Sequence, residues 1–385
     1  MPEEKRQNPF RRIRIRYRGR FSQIQIYLGK LLRMFLYQSD WKVLPMSAMV
    51  AGLVGLVIRK RFFATMEGTL MSALAVTCLC LWNGCFNSIQ VICRERDVIK
   101  REHRSGMHIS SYIAAHMIYQ ALLCLLQTGI TLYVMRAVGV RYPQEGLMTR
   151  YFIPEFSVSL FLITYAADMM SLWISAISHT TTAAMTIMPV ILIVQLVFSG
   201  GMMSLPTRAE PVTKVIISNY GLKLIATQAN YNAQPLGSAW GTIERMKGNE
   251  IKATFTVGQV LDYLGDPNNP SAEQIRSVAL TDESSLLGTV TVGMVVDEVN
   301  TSEDSEQFRS QTIPIETTVG EVIKMLGEQE VKEYVETRAT ESAQVSDYDY
   351  DWRNVAAYWL CLILFAVVFA GLSTITLELI DKDKR

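Results

Sequence analysis

Six apolar stretches, each long enough to cross a lipid bilayer as a helix, constrain this chain more than any other feature. They cover residues 41–58, 65–92, 109–137, 156–177, 182–205 and 355–380. A span needs about 20 predominantly apolar residues, because a helix rises only 1.5 Å per residue across about 30 Å of hydrocarbon. The sequence therefore predicts an all-α polytopic membrane protein with six transmembrane helices.

The distribution of Lys and Arg predicts the orientation of these helices. Eighteen such residues lie in the N-terminal region, the loop between the second and third helices and the C-terminal tail, against six in the loops of the opposite side. Since cytoplasmic loops carry the excess of positive charge, we expect both termini to be cytoplasmic. Arg59, Lys60 and Arg61 oppose this assignment, because they fall on the predicted outer side.

The first 40 residues form a segment of their own. In residues 1–40 a basic tail precedes an amphipathic helix, in which Phe21, Ile24, Leu28 and Leu31 recur at helical spacing. Such a helix suits the surface of a membrane, and the basic tail suits anionic lipid headgroups. A nucleic-acid arm is the alternative for the tail, but nothing downstream supports it, so we expect membrane lipids and no nucleic acid as partners.

A long polar insertion, residues 206–353, separates the first five helices (41–205) from the last helix and its tail (354–385). It contains 23 acidic and 12 basic residues. A pattern that begins Thr-Val-Gly recurs in it at Thr256, Thr291 and Thr318. In the first and third copies, Gln259 and Glu321 complete a capping box, which predicts a short helix after an extended lead-in. The orientation places this insertion outside the cell as a small α+β domain.

Several functional classes lack their motifs. No glycine-rich phosphate loop is present, so we expect no nucleotide or other cofactor on this chain. The four histidines show no metal-ligand spacing, and we expect no metal site and no catalytic residues. All six cysteines fall in or beside apolar runs, which excludes a secreted domain held together by disulfides.

The loop between the second and third helices, residues 93–108, carries the most specific motif. It contains Glu95-Arg96, then Arg101-Glu102, then Gly106, with Tyr112 shortly after. This order resembles the E-R-x-x-x-x-R-E-x-x-x-G segment of the membrane domain of type-2 ABC exporters, specifically the G subfamily and its bacterial relatives. The resemblance extends to the fourth helix and to the fifth, which contains a Phe-Ser-Gly motif at residues 198–200. It does not cover the large insertion. Met107 departs mildly from the pattern.

The resemblance implies that this elbow docks on a cytosolic ABC ATPase and is braced by the amphipathic helix. Because this chain lacks the phosphate loop, the ATPase would be a separate polypeptide that binds ATP and Mg. The expected coupling residues are Arg94, Glu95, Arg96, Lys100, Arg101, Glu102, Arg104 and Gly106. The alternative is an ordinary solvated loop on the positive side of the membrane. Six helices would need to pair, so a homodimer, or a heterodimer with a sister permease, is expected.

The resemblance also implies a substrate path at the dimer axis, between the second and fifth helices. Polar groups at membrane depth are costly unless they face a partner or a water-filled cavity. The expected lining is Trp82, Asn83, Phe86, Asn87, Met188, Gln195, Phe198 and Ser199. Ordinary helix packing is the alternative for each of them. Gly200 and Gly201 would let the fifth helix end and the chain turn back.

These expectations combine into a permease subunit that exports a lipophilic or amphipathic compound across a bacterial cytoplasmic membrane. The alternative is a signalling or mechanical transducer whose external domain binds an envelope component without moving a substrate. A continuous cavity lined by Asn83, Phe86 and Gln195 would favour export, and tight Gly and Ala packing through the midplane would favour transduction. A receptor without any ATPase would leave the charged elbow unexplained.

Overall fold

The computed structural model describes residues 19–37, 40–201, 210–265, 270–278, 291–301, 306 and 309–379. Most of the predicted basic tail lies outside these residues. The described chain is mostly helical and divides into two compact units, residues 1–237 with 338–385, and residues 238–337. The second unit is therefore shorter than the 206–353 insertion considered from the sequence.

The first unit contains the apolar helices. An amphipathic helix and a short 3-10 turn, Asp40–Lys42, precede the long helices, and a buried short helix follows them. In chain order the helices are α1 (Arg20–Tyr37), α2 (Val43–Ile58), α3 (Met66–Ser88), α4 (Val91–Arg104), α5 (Ile109–Val138), α6 (Phe152–Ile177), α7 (Thr181–Val197), α8 (Glu210–Thr213), α9 (Ile217–Gln228) and, after the second unit, α16 (Trp352–Glu378).

Among the residues that the structure describes, five helices are long and apolar enough to cross a membrane. They are Asp40–Ile58, Met66–Arg104, Ile109–Val138, Phe152–Ile177 and Trp352–Glu378, the second of which continues from α3 into α4. The predicted fifth span is the apolar helix α7, which has 17 residues, or about 25 Å at 1.5 Å per residue. It ends at Val197, before the predicted end at residue 205, and Gly200, three residues further on, adopts a φ of 80°, a left-handed conformation that favours glycine. The count of six spans stays a prediction.

The core of the first unit is the contact between α3 and α6. A Cβ atom on Gly84 would lie 2.2 Å from the carbonyl oxygen of Thr164 and 2.9 Å from the Cβ of Ala167, so only glycine allows this approach. Small residues on facing helices permit such close backbone contact, which gains dispersion energy where lipid supplies no hydrophobic driving force. Helix α16 packs on the other side of α6.

Helix α9 is an element that the sequence did not reveal. Its 12 residues are almost all buried, and it packs against α3, α6 and α16. Gln228 near its end donates to Glu155 Oε1 at 3.1 Å, and the same carboxylate accepts from the backbone of Met148 at 2.9 Å. After α7, therefore, the chain returns into the apolar helices before it enters the second unit.

The second unit is a small α+β fold. Two antiparallel strands, β1 (Glu250–Thr256) and β2 (Thr312–Thr318), pair with Glu250 opposite Thr318. Its helices are α10 (Gly237–Met246), α11 (Val257–Gly265), α12 (Pro270–Arg276), α13 (Val292–Thr301), α14 (Val319–Leu326) and α15 (Glu328–Ala343), the first and last of which extend into the first unit. The three Thr-Val-Gly copies begin α11, α13 and α14. The two predicted capping boxes are confirmed, at Thr256 with Gln259 and at Thr318 with Glu321.

The copies dock in the same way. A Cβ atom on Gly258 would lie 3.3 Å from the carbonyl oxygen of Arg309, one on Gly293 3.2 Å from that of Arg276, and one on Gly320 3.1 Å from that of Lys247. The internal similarity in the sequence thus corresponds to three equivalent contacts between a helix start and the backbone of a basic residue.

Candidate functional site

The elbow helix α4 lies next to the end of α6. The first N–H groups of a helix have no acceptor within the helix. In α4, Ser175 Oγ accepts from two of them, Ile92 N at 3.1 Å and Cys93 N at 3.2 Å. Sequence reasoning missed Ser175, because its partner helix lies more than 80 positions earlier in the chain.

Both glutamates of the elbow motif face other helices of this chain. Lys30 Nζ of α1 lies 3.2 Å from Glu95 Oε2, and Tyr112 Oη of α5 donates to the same oxygen at 3.4 Å. Tyr27 Oη of α1 donates to Glu102 Oε2 at 3.0 Å. Burial, and then the hydrogen bond to Glu102, raises the pKa of Tyr27 well above its usual value. These contacts hold the amphipathic helix against the elbow.

The turn after α4 is fixed to the same amphipathic helix. Gly106 has a φ of 106°, which explains why the motif has glycine there. Gln23 Nε2 donates to the Gly106 carbonyl at 3.3 Å, and Gln23 Oε1 accepts from His108 N at 2.9 Å. The Gln23 side chain therefore pairs with one carbonyl group and one N–H group of this turn.

Arg96 also faces the protein interior. Its Nη1 donates to the carbonyl oxygens of Ala176 at 2.9 Å and Ser178 at 3.1 Å. The last carbonyl groups of a helix lack acceptor partners and carry partial negative charge, so a guanidinium there completes the end of α6. Arg96 thus joins the elbow to α6.

The remaining charged residues of the elbow point outward. Arg94 Nη2 lies 3.8 Å from Asp40 Oδ2, beside α2. Asp97, Arg101 and Arg104 are exposed, and Lys100 is half-buried. We call these four residues the exposed elbow face. The eight predicted coupling residues thus separate into residues that join helices of this chain and residues that reach solvent.

Three of the predicted substrate-path residues line one cavity. Trp82, Asn83 and Phe86 of α3 face α2 across a space of about 250 Å³. The rings of Trp82 and Phe86 are 5.0 Å apart between centroids. A second, apolar groove of about 300 Å³ separates Trp82 from Pro189 of α7. Aromatic and aliphatic walls of this kind suit a lipophilic molecule.

The predicted path residues of α7, and the two that directly follow it, serve mainly in packing. Gln195 is buried, its Oε1 accepts from Ser218 N of α9 at 3.0 Å, and its Nε2 lies 3.6 Å from the sulfur of Met170. Met188 is buried in the main core, and Phe198 is half-buried. Ser199 is buried and its Oγ donates to the Leu196 carbonyl at 2.7 Å.

A polar cluster lies between α3, α5 and α6. Asp168 is fully buried, accepts a hydrogen bond from Ser88 Oγ, and lies 3.4 Å from the sulfur of Cys124, which donates to it. Gln120 Nε2 donates to Ser88 Oγ at 2.7 Å. Asp168 was not among the residues selected from the sequence, although a carboxylate inside an apolar run is a signal that could have found it.

Asn87, predicted to line the path, extends this cluster. Its side chain exchanges two hydrogen bonds with Gln127, at 2.8 and 3.0 Å. Reciprocal amide pairs satisfy both groups in an apolar environment, where an unpaired amide would cost about 1–3 kcal/mol. Asn87 thus links α3 to α5, while its neighbour Phe86 faces the cavity beside α2.

Within the part of the chain that the structure describes, no three His, Cys, Asp or Glu side chains come together as a metal site. The cysteines described there have free thiols.

Residues 13–218 match the family described as ABC-2 type transporter, which is more than half of the 385 residues. Comparison with curated proteins gave no match. The matched region contains the amphipathic helix, the elbow and α2 to α7, and this domain is the membrane-crossing, non-catalytic part of such transporters. The chain is thus a multi-pass membrane protein that belongs to the ABC-2 type transporter family and carries its permease domain.

Proposed function

We propose that this chain is the permease subunit of an ABC exporter whose separate ATPase subunit docks on the exposed elbow face. The observation that carries the proposal is the arrangement of α4. Its inward groups, Glu95, Arg96 and Glu102, join it to α1 and α6, while Lys100 and Arg101 reach outward. An outward cationic face on a firmly held helix suits a mobile partner that pushes on it.

The inward contacts also supply a route for displacement. Arg96 and Ser175 fix α4 to the end of α6, and α6 meets α3 through the close contact at Gly84. Allosteric transitions commonly move packed helices as rigid bodies about interfaces. A push on the elbow would therefore move α3 and α6 together, with the ATP and Mg chemistry on the partner.

For the substrate we propose a lipophilic or amphipathic compound that moves outward. The cavity beside Trp82, Asn83 and Phe86 and the apolar groove next to Pro189 support this choice. The side chain of Trp82 is 43% exposed and that of Val190 is 60% exposed, which suits pairing with a second copy in a homodimer or with a sister permease. We further propose a bacterial cytoplasmic membrane, cytoplasmic termini and an external second unit, in accord with the Lys and Arg distribution.

The test is copurification of a phosphate-loop ATPase with the tagged chain in mild detergent, followed by mass spectrometry. Arg101→Glu reverses a charge on the exposed elbow face and should abolish recovery of the ATPase. Arg141→Glu, a reversal at another exposed arginine outside the elbow, is the matched control and should recover it fully. Recovery of no ATPase with the unaltered chain, in any nucleotide state, would contradict the proposal.

A second candidate function is mechanical transduction, and one observation favours it. The approach of α3 to α6 at Gly84 leaves no space between these helices, and Gln195 faces α9 instead of the cavity of Trp82 and Asn83. In that case ATP hydrolysis would change the second unit without moving a substrate. Nucleotide-dependent protease protection of residues 238–337, with no ATP-driven transport by reconstituted vesicles, would support this candidate over export.

A further inference from the structure

A cavity of about 240 Å³ lies beside the elbow helix α4, where it meets α2 and α5. Its walls come from α1, α2, α3, α4, α5 and α7, and it adjoins the cavity beside Trp82 and Asn83, with which it shares Val43 and Phe86. A single ordered water takes about 30 Å³, so the space is several times too large for one. It has the size for part of an amphiphile, a headgroup with the start of one chain.

The cavity contains a buried polar side chain without a partner. His116 lines it and is fully buried, and no hydrogen-bond partner for either of its ring nitrogens exists among the described residues. The ring makes an edge contact with Tyr112, 4.5 Å between centroids. A neutral imidazole has one donor and one acceptor, and leaving both unmade in a buried site is costly. A ligand that offers both kinds of group would remove this cost.

The cavity is polar at the elbow and apolar further into the helices. Arg94 and Asp40 line its elbow end, and both side chains keep considerable exposure although their charged atoms are 3.8 Å apart. Along α5, His116 is followed two turns later by Leu123, and Phe86 and Met185 complete the apolar walls. Glu95 also lines this end, but its carboxylate is paired with Lys30 Nζ at 3.2 Å. The lining therefore offers the guanidinium of Arg94 and the carboxylate of Asp40 side by side, with a hydrocarbon slot behind them.

From this arrangement we infer that the cavity binds one zwitterionic aminophospholipid, with its phosphate at Arg94, its ammonium at Asp40 and its backbone oxygens at His116. Charge-assisted hydrogen bonds are the strong ones, and a guanidinium recognises phosphate oxygens well. An anionic headgroup without an ammonium would leave Asp40 next to the phosphate, which is unfavourable. The site requires neither transport nor an ATPase, so it stands apart from the proposed function.

The test uses the purified, delipidated full chain and native mass spectrometry. The probe is palmitoyl-oleoyl-phosphatidylethanolamine, and phosphatidylglycerol and phosphatidylcholine with the same chains are the comparisons. We expect one tightly held phosphatidylethanolamine, bound about tenfold more tightly than phosphatidylglycerol, because one charge-assisted contact differs. Phosphatidylcholine, whose ammonium has no N–H donor, should bind more weakly than phosphatidylethanolamine.

Two variants locate the site. Asp40→Asn should remove the preference for phosphatidylethanolamine over phosphatidylglycerol. His116→Leu should weaken the binding of both lipids about tenfold. Glu145→Gln, an exposed carboxylate that does not line the cavity, is the matched control and should leave the preference unchanged. Asp40→Asn keeps the test decisive if His116→Leu fails to fold, because the side chain of Asp40 is 37% exposed and the substitution is isosteric.

Three results would overturn the inference. The first is the absence of any one-to-one adduct. The second is equal binding of all three lipids, unaffected by either variant, as expected for lipids that merely surround the helices. The third is a preference for phosphatidylglycerol in the unaltered chain.

Discussion

Lys30 Nζ of the amphipathic helix lies 3.2 Å from Glu95 Oε2 of the elbow helix, so one ion pair joins α1 to the motif that the family match includes. Glu95 is the more buried partner and also accepts from Tyr112. The first residue of the motif thus has an internal partner, which separates its structural role from any role in docking.

This pair predicts a charge-swap result. Lys30→Glu and Glu95→Lys should each lower the thermal stability of the purified chain, and the double swap should restore most of it. Because Lys30 is about one-third exposed, solvent screens the pair and we expect a coupling energy of about 1 kcal/mol or less. The measurement is a double-mutant cycle from thermal unfolding in detergent. Additive losses in the double variant would mean that the two side chains act independently.

The contact at Gly84 predicts a position-specific steric effect. Gly84→Ala places a methyl group 2.2 Å from the Thr164 carbonyl, which cannot move without displacing α6. We expect a loss of about 2 kcal/mol or more in the free energy of unfolding. Gly129→Ala on α5 is the matched control, because nothing lies within 4 Å of its added Cβ, and it should be neutral or slightly stabilising. Equal effects of the two variants would show that α3 and α6 are not in close contact in solution.

Local signals predicted local structure well. The capping boxes at Thr256 and Thr318 fixed the starts of α11 and α14, because side chain and backbone partners lie three residues apart. The predicted end of the fifth helix at residue 205 was wrong, since α7 ends at Val197, although Gly200 just beyond it does adopt the left-handed backbone that favours glycine. The amphipathic pattern that begins at Phe21 predicted α1, which begins one residue earlier, at Arg20.

Long-range relationships were not predictable in the same way. The sequence could not reveal that Ser175 caps the elbow helix, because nothing near either segment specifies the pairing. Helix α9 has only 12 residues, too few for a span, and was therefore included in the polar insertion. Gln195 was predicted to line a path because polar residues in spans have few other uses, yet α9 supplies it with a hydrogen-bond partner.

The cluster around Asp168 predicts a strong dependence on that carboxylate. Asp168→Ala removes the acceptor of Ser88 Oγ and of the Cys124 thiol inside the apolar helices. We expect a loss of about 2–4 kcal/mol, since buried donors would lose their partner in a low-dielectric environment. Ser157→Ala on the same helix is the control, because its hydroxyl donates to the Pro154 carbonyl of the preceding turn in an exposed hydrogen bond of 2.7 Å. Thermal unfolding of both variants in detergent gives the comparison, and similar midpoints would argue against a structural role for the cluster.

The capping box of α14 predicts a pH effect in the second unit. The Thr317 hydroxyl, and then the backbone N–H of Thr318, hold the pKa of Glu321 below its usual value. A carboxylate with a lowered folded-state pKa stabilises the fold above its unfolded pKa, near 4.5, and that contribution is lost as the pH falls through the folded value. Hydrogen exchange, corrected for intrinsic rates, should therefore show the start of α14 opening below about pH 4.5. Glu321→Gln keeps an acceptor oxygen but removes the titrating carboxylate, so the start of α14 should open no further in this variant when the pH falls.

Substitutions at Gln195 distinguish a role of this side chain in packing from a role in the substrate path. Its Oε1 is the acceptor for the backbone N–H of Ser218, so Gln195→Leu would leave that donor buried and unpaired at the start of α9. We expect faster hydrogen exchange in residues 217–228 and a loss of about 1–3 kcal/mol in stability. Gln195→Glu retains an acceptor oxygen and should protect α9 better than leucine. If leucine instead leaves exchange in α9 unchanged and alters which compounds bind to the reconstituted protein, the side chain faces the substrate path.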